Sequence, residues 1–276
     1  MMPRHRMTAY DERRGCGFLR HVLVKRGFAT GEIMVVLVAS TAVFPGQRAF
    51  LAELLERHPD ITTVILNVND RFTSLVLGQK EKVLYGKGYI EDMLAGCRFR
   101  ISAKSFYQIN PVQTEKLYKT AIDFAALTGR ERVLDAYCGI GTIGMAASSR
   151  AQSVAGVELN RDAVGDAIYN ARLNSIKNCY FTCADAGDFM LRMADEGERA
   201  DVVFLDPPRA GSTVRFIESL ARMCPDRVVY VSCNPETLAR DLAVLAENGY
   251  TAVRAQPVDM FPHTAHTECV VLLKKA

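Results

Sequence analysis

Val228, Val229, Tyr230 and Val231 form a strand-like run that ends at Ser232-Cys233-Asn234-Pro235, with a helical pattern behind it. A cysteine kept for packing belongs inside such a run. One at its end can be exposed and have its pKa tuned for reaction. A neighbouring run, 201–205, ends in Asp206-Pro207-Pro208-Arg209, whose prolines stop the strand. Glu268 opens the last apolar run, within FPHTAHTECVVLL (261–273). Three further acids close earlier strand patterns: Asp135 before the glycine-rich turn of VLDAYCGIGTIG (133–144), Glu158 at the end of VAGVE, and Asp185 at the end of CAD.

These acids point to a nucleoside cofactor. Gly139 and Gly141 let the backbone pass close to a ligand, and Gly144 lets the following helix pack tightly on the sheet. Glu158, 23 residues beyond Asp135, can accept both ribose hydroxyls, and Asp185 can accept from an adenine amino group. An acid after each of three strands suits S-adenosylmethionine, which has a ribose, an adenine and a cationic centre but no phosphate. A dinucleotide would want its pyrophosphate at a helix N-terminus. The competing reading makes these acids helix caps; it has most weight for Asp185 and least for Glu158, because Asn160 is the better cap. With Cys233 and Asp206 ending adjacent strands, the constellation is a thiol, a carboxylate and a methyl donor.

The elements that must position these groups fall into two parts. Residues 18–25 and 32–39 read as strands joined by a Gly27/Gly31 turn, 46–58 as a helix, and 62–69 as a strand, with short strands near 82–86, 89–94 and 97–102. This gives a small α+β domain over 1–95. From 96 to 276 strands and helices alternate. A helix opens at Asn110-Pro111; strands lie near 132–136, 153–158, 179–183, 201–205, 227–232, 249–256 and 268–273; helices lie near 142–149, 161–174, 186–195, 213–222 and 236–247. Alternation implies a mostly parallel sheet with helices on both faces. The last two strands, with only a turn between them, must pair antiparallel. The fold class expected is therefore α/β, the Rossmann-like class I S-adenosylmethionine-dependent methyltransferase fold with seven strands.

Composition narrows the setting. The chain has 276 residues, 49% hydrophobic and 24% charged, ordinary values for a globular protein with a sizeable core. No signal peptide or bilayer-length apolar run is visible, so a cytoplasmic protein without a membrane partner is expected, with a monomer as the default. Eight cysteines without a CxxC pair argue against a zinc ribbon. Cys179 and Cys183 have no second ligand pair nearby, and of His263, His266, Glu268 and Cys269 the adjacent residues 268 and 269 face opposite sides of a strand, so neither group reads as a metal site. The net charge of +3 is too small to imply nucleic acid, although residues 1–30 carry +5. That basic segment could touch phosphates or be a solvated end.

Six stretches together resemble the RNA uracil-5-methyltransferase family, which makes 5-methyluridine in 23S rRNA or tRNA. They are SFYQINPVQTEKLY (105–118), VLDAYCGIGTIG, GVELNRDAVGDAIYNARLN (156–174), FLDPPRAG, VVYVSCNPETLARDL and VDMFPHTAHTECVVLL (258–273). GFLRHVLVK and TGEIMVVLV resemble the family's central domain. The resemblance implies Cys233 as nucleophile, Glu268 as base, and Gln108, Tyr137, Glu158 and Asp206 as contacts to S-adenosylmethionine. It implies an RNA substrate, with 23S rRNA expected ahead of tRNA, and a flipped uridine reached by the thiol. Many members carry an N-terminal RNA-binding barrel and an iron–sulfur cluster. Residues 1–17 are too short for the one and Cys16 stands alone for the other, so neither is expected in this chain, which reads as a fragment or a short form. Two alternatives stay open: an amino-methyltransferase using Asp206-Pro-Pro, against which Arg209 stands where an aromatic residue is usual, and a cofactor- or RNA-binding module without turnover.

Overall fold

The computed structural model describes residues 1–276, which form two compact units: 1–93 with 100–104, and 94–99 with 105–276. No helix is long and apolar enough to cross a membrane.

In the first unit β1 (Leu19–Arg26) and β2 (Ile33–Ala39) pair antiparallel. The buried Asp92 carboxylate holds their connecting turn by accepting the amides of Phe28, Ala29 and Thr30 at 2.9, 2.8 and 3.3 Å. Helix α1 (Gln47–Arg57) carries the chain across to β3 (Ile61–Val68), which runs parallel to β2, and β4 (Lys80–Tyr85) closes the sheet antiparallel in the order β1-β2-β3-β4. The helix begins one residue later than the periodicity predicts because Gly46, at φ 72°, takes the left-handed conformation before it. Phe18, Phe44 and Phe50 pack ring on ring beneath Val35, Leu37, Val64 and Leu66. A hairpin of β5 (Ile90–Leu94) and β6 (Cys97–Ile101) turns through Ala95 and Gly96, both at positive φ.

The second unit is a seven-stranded sheet, in the order β12-β13-β11-β10-β7-β8-β9. The strands are β7 (Arg132–Ala136), β8 (Ser153–Glu158), β9 (Cys179–Cys183), β10 (Val202–Leu205), β11 (Arg227–Ser232), β12 (Tyr250–Val258) and β13 (Glu268–Lys275). Only β13 runs against its neighbours, β11 and β12, as the short connection before it requires. The helices are α2 (Pro111–Ala125), α3 (Thr142–Ala147), α4 (Arg161–Leu173), α5 (Ala186–Asp195), α6 (Val214–Met223) and α7 (Pro235–Glu247). Helices α5, α6 and α7 bury Met190, Phe216, Leu220, Leu238 and Leu245 against Leu134, Val203, Leu205, Val228 and Tyr230. Helices α2, α3 and α4 pack against the sheet as well, α2 chiefly on β11 and β13 and α4 on β8 and β9. The fold is the class I S-adenosylmethionine-dependent methyltransferase fold that the alternation predicts. The strand order reverses between β7 and β10, so the crevice beyond their carboxyl ends is the place where such a sheet binds ligands.

Candidate active site

Strand β7 ends at Ala136, and the chain turns at once through Tyr137, a non-glycine residue at φ 66°, then through Gly139 and Gly141 at φ 54° and 85°. Left-handed backbone at a tyrosine is uncommon and costs energy that the surrounding structure must supply. The Tyr137 ring packs on Phe216 with centroids 5.1 Å apart. Glu158 fastens the same turn from the end of β8, accepting the Gly139 amide at 3.2 Å and the Asn160 amide at 2.8 Å. Asp135 is 1% exposed and accepts the Gly144 amide at 2.8 Å. A Cβ on Gly144 would lie 2.9 Å from that carboxylate and 3.0 Å from Val154 Cγ1, so the tight helix–sheet contact needs glycine.

Gln108, Asp135, Tyr137, Gly139 and Asp206 line one pocket, together with Tyr118 and Thr142. Tyr118 on α2 and Thr142 on α3 share a hydrogen bond of 2.8 Å across it. Ser105 fixes the segment leading to Gln108 by donating to the buried Asp166 of α4 at 2.5 Å. Two carboxylates line this pocket and no lysine or arginine does. Burial pushes Asp135 up to about 7 against the pull of the Gly144 amide, and the Glu158 charge adds to the rise. Burial, followed by the charges of Glu268 and Asp135, pushes Asp206 up to about 8. A cation entering such a site would be welcomed by both acids. Glu158 and Asp185 are not among the pocket's lining residues. Asp185 caps α5, accepting the Asp188 amide at 3.0 Å, and Asn160 caps α4.

Cys233 directly follows β11. Ser232 stands opposite Cys269 in the antiparallel ladder with β13, so one further step sets Cys233 opposite Glu268. Glu268 is 4% exposed, and burial raises its pKa while Arg209 opposes the rise. The thiol is half-buried; burial raises its pKa, the Glu268 and Asp206 charges add to the rise, and Arg209 lowers it. Cys233 thus sits in a balance, with two acids disfavouring thiolate while Arg209 and the start of α7 favour it. Asn234 caps α7 by accepting the Glu236 amide at 3.1 Å, and its side-chain amide donates to the Arg209 carbonyl at 3.2 Å. The Arg209 guanidinium contacts His266 Nδ1 at 3.1 Å. Across the sheet end, the Asn110 amide donates to the Met260 carbonyl at 3.0 Å, tying the start of α2 to the loop that delivers Glu268.

Cys138 is buried, and burial drives its thiol pKa far up, which suits packing. Sequence reasoning missed three groups. Arg209 was legible only as the residue that replaces an aromatic; its place beside the thiol depends on the loop's path. The Tyr118–Thr142 bond joins positions 24 apart on two helices and leaves no local signal. Asp241 did leave one: it falls in the stripe Leu238, Leu242, Leu245 of α7, where a carboxylate must find partners.

Residues 65–276 match the family model of the tRNA (Uracil-5-)-methyltransferases. A Bacillus cereus protein described as an uncharacterized RNA methyltransferase is 46% identical over 271 residues, covering 98% of this chain and 59% of the relative. A relative of the same description from Caldanaerobacter subterraneus is 45% identical over 269 residues, covering 98% and 60%. The chain therefore spans about 60% of the length of the curated relatives it matches. The crystal structure of Pyrococcus abyssi tRNA (uracil-54, C5)-methyltransferase in complex with S-adenosyl-L-homocysteine superposes with a TM-score of 0.81 at 30% identity, over 99% of this chain and 64% of that one. The crystal structure of M. jannaschii tRNA m1G37 methyltransferase, at 13% identity and a TM-score of 0.57 over 94% and 73% of the two chains, shares the fold alone. On the extent of these matches, the chain belongs to the tRNA (uracil-5-)-methyltransferase family.

Proposed function

We propose that this chain carries the catalytic machinery for S-adenosylmethionine-dependent methylation of uridine C5 in RNA, through a covalent bond between Cys233 and uracil C6. The observation that carries the reading is the ladder register that sets Cys233 opposite the buried Glu268, with Asp206 ending the adjacent strand. Residues 1–95 and 96–276 are taken as a small central-type domain and a methyltransferase domain.

The donor set fits the cofactor. Gln108, Asp135, Tyr137, Gly139 and Asp206 would hold it, with Glu158 fixing the glycine turn from behind, while Asp185 caps α5 at the end of the neighbouring strand. S-adenosylmethionine, when bound, supplies an electrophilic methyl group on a cationic sulfur. Uracil C5 is too poor a nucleophile to take it unaided. The Cys233 thiolate adds to C6, and the C5=C6 electrons move towards O4, leaving C5 electron-rich. C5 would then take the methyl group as the methyl–sulfur bond breaks, the bonding pair staying on the sulfur, which becomes neutral. Glu268, whose pKa burial raises, accepts the C5 proton as a carboxylate of raised basicity. The C5–H electrons restore the double bond and the C6–S bond breaks, returning the thiolate. Arg209 favours that thiolate both before attack and after release.

The RNA proposed is 23S rRNA, whereas the family description and the Pyrococcus abyssi relative name tRNA. Tritium release from RNA labelled at uridine C5 separates these readings. With RNA from cells lacking the modification, cofactor-dependent release from the 23S fraction supports the proposal in full, and release from the tRNA fraction alone corrects the substrate. No release from either fraction, with cofactor binding established by calorimetry, means either that this chain needs a further RNA-binding part to act or that the reaction is not at C5.

A further inference from the structure

Helix α7 starts two residues after Cys233, behind its cap Asn234, and meets the loop that follows Asp206 along one face. Asn234 Nδ2 and Thr237 Oγ1 both donate to the Arg209 carbonyl at 3.2 Å. Arg240 Nη2 donates to the carbonyls of Ala210 and Ser212 at 2.9 and 3.1 Å. Asp241, 1% exposed, accepts the Ser212 amide and the Tyr230 hydroxyl, each at 2.6 Å, and holds Arg240 through Nε and Nη2 at 2.9 and 2.7 Å. Gly211 sits under this grip at φ 75°, where a Cβ would come within 2.6 Å of both Arg240 Nη2 and Asp241 Oδ2.

Residues 209, 210 and 212 are thus held through their backbone by side chains at 234, 237, 240 and 241. Backbone contacts fix the loop's path without specifying its side chains. The loop carries Asp206 at its entry and Arg209 beside the thiol, so its path decides how far both charged groups stand from Cys233. Resting on the function proposed above, we infer that Arg240 and Asp241 are positioning residues: they make α7 a template that holds the Asp206–Ser212 loop in register with the nucleophile at the helix's own start. A displacement on the order of 1 Å in such an arrangement costs about 100-fold in rate.

The test uses the full chain with Arg240→Met, which keeps the stem and removes the donors, Arg240→Lys as the conservative partner, and Thr237→Val. The first readout is the pH profile of Cys233 alkylation by iodoacetamide, followed on the Cys233 peptide by mass spectrometry. It needs no RNA and no turnover, so it stands or falls apart from the methylation reading. The second is the single-turnover rate on RNA. With the Arg240 grip on Ala210 and Ser212 removed, the loop that carries Arg209 is freer to shift, and Arg240→Met is expected to move the alkylation midpoint to higher pH and to slow turnover by about 10- to 100-fold, with Arg240→Lys restoring part of both. Thr237→Val should shift the midpoint in the same direction by less. A lowered melting temperature with an unchanged alkylation midpoint in Arg240→Met and Thr237→Val would make the contacts merely structural and overturn the inference. A shifted midpoint with no methylation in any variant or in the parent would uphold the positioning role and sink the proposed reaction.

Discussion

Replacing Asp206 by asparagine should stabilise the empty protein at alkaline pH and weaken its hold on a cationic ligand. Asp206 ends β10 between Asp135 and Glu268, and its pKa rises from 3.8 to about 8, mainly through burial. The folded protein therefore keeps a proton there that the unfolded chain has already lost. Between about pH 4 and pH 8 the unfolded state binds fewer protons, so stability falls as pH rises through that window, and the penalty is complete above the folded pKa. The whole shift, about four units at 1.36 kcal/mol each, sets a ceiling of about 6 kcal/mol. Half-burial and the sharing of repulsion with Asp135 and Glu268 bring the effect of one substitution to about 2–3 kcal/mol at pH 8.5. That corresponds to about 5 °C in melting temperature for a chain of this size. Thermal unfolding at pH 5 and pH 8.5 reads it: Asp206→Asn should melt only about 1–2 °C above the parent at pH 5, where roughly a quarter of the penalty has developed, and about 5 °C higher at pH 8.5. Ligand binding should go the opposite way. S-adenosylmethionine carries the cation that compensates the acids, whereas S-adenosylhomocysteine is neutral at sulfur. The variant should lose affinity for the first by about 10-fold or more and keep most of its affinity for the second. Identical pH dependence of the two proteins, or equal losses for the two ligands, would refute the electrostatic account of the pocket.

Cys233→Ser should abolish methyl transfer, by about 1000-fold or more, while calorimetry finds S-adenosylmethionine bound as before; retained activity would favour amino-methylation instead. Glu268→Gln should stall after methyl transfer and accumulate a methylated protein–RNA adduct on ordinary RNA, seen on a denaturing gel; free methylated product alone would remove Glu268 as the base. Gly144→Ala should destabilise the second unit by about 1–3 kcal/mol in urea unfolding, because its Cβ meets Asp135 and Val154; an unchanged midpoint would mean that α3 can shift at no cost.

Much of the fold could be read from sequence because its signals are local. The caps Asn110, Asn160 and Asn234, the prolines at 111 and 235, and the alternation of strand and helix periods mark nearly every boundary of the second unit. The antiparallel last pair followed from the absence of a crossover between β12 and β13. The helix expected over 142–149 ends as α-helix at Ala147 and tightens into a 3-10 turn over Ser148–Arg150, a frayed end that periodicity does not resolve. At the site, the places of Cys233 and Asp206 could be read because each stands at a strand end shortly before proline, and that of Glu268 because it opens the last apolar run. Asp185 was open to two readings, and its side chain does cap α5. Arg209, Arg240 and Asp241 were not legible as a group, since the contacts that tie α7 to the loop run between side chains and backbone atoms 25 to 30 residues apart, which no pattern of side-chain types records.

The central claim is a bond between Cys233 and uracil C6, and the most direct measurement is capture of that bond. RNA transcripts containing 5-fluorouridine place fluorine where a proton would leave, so the methylated adduct cannot resolve. Incubation with S-adenosylmethionine, denaturing electrophoresis and mass spectrometry of the nuclease-digested band should yield a fluorinated, methylated uridine on the Cys233 peptide, and no band from Cys233→Ser. A substrate RNA that is methylated in its ordinary form, yet gives no adduct on Cys233 in its fluorinated form, would contradict the account.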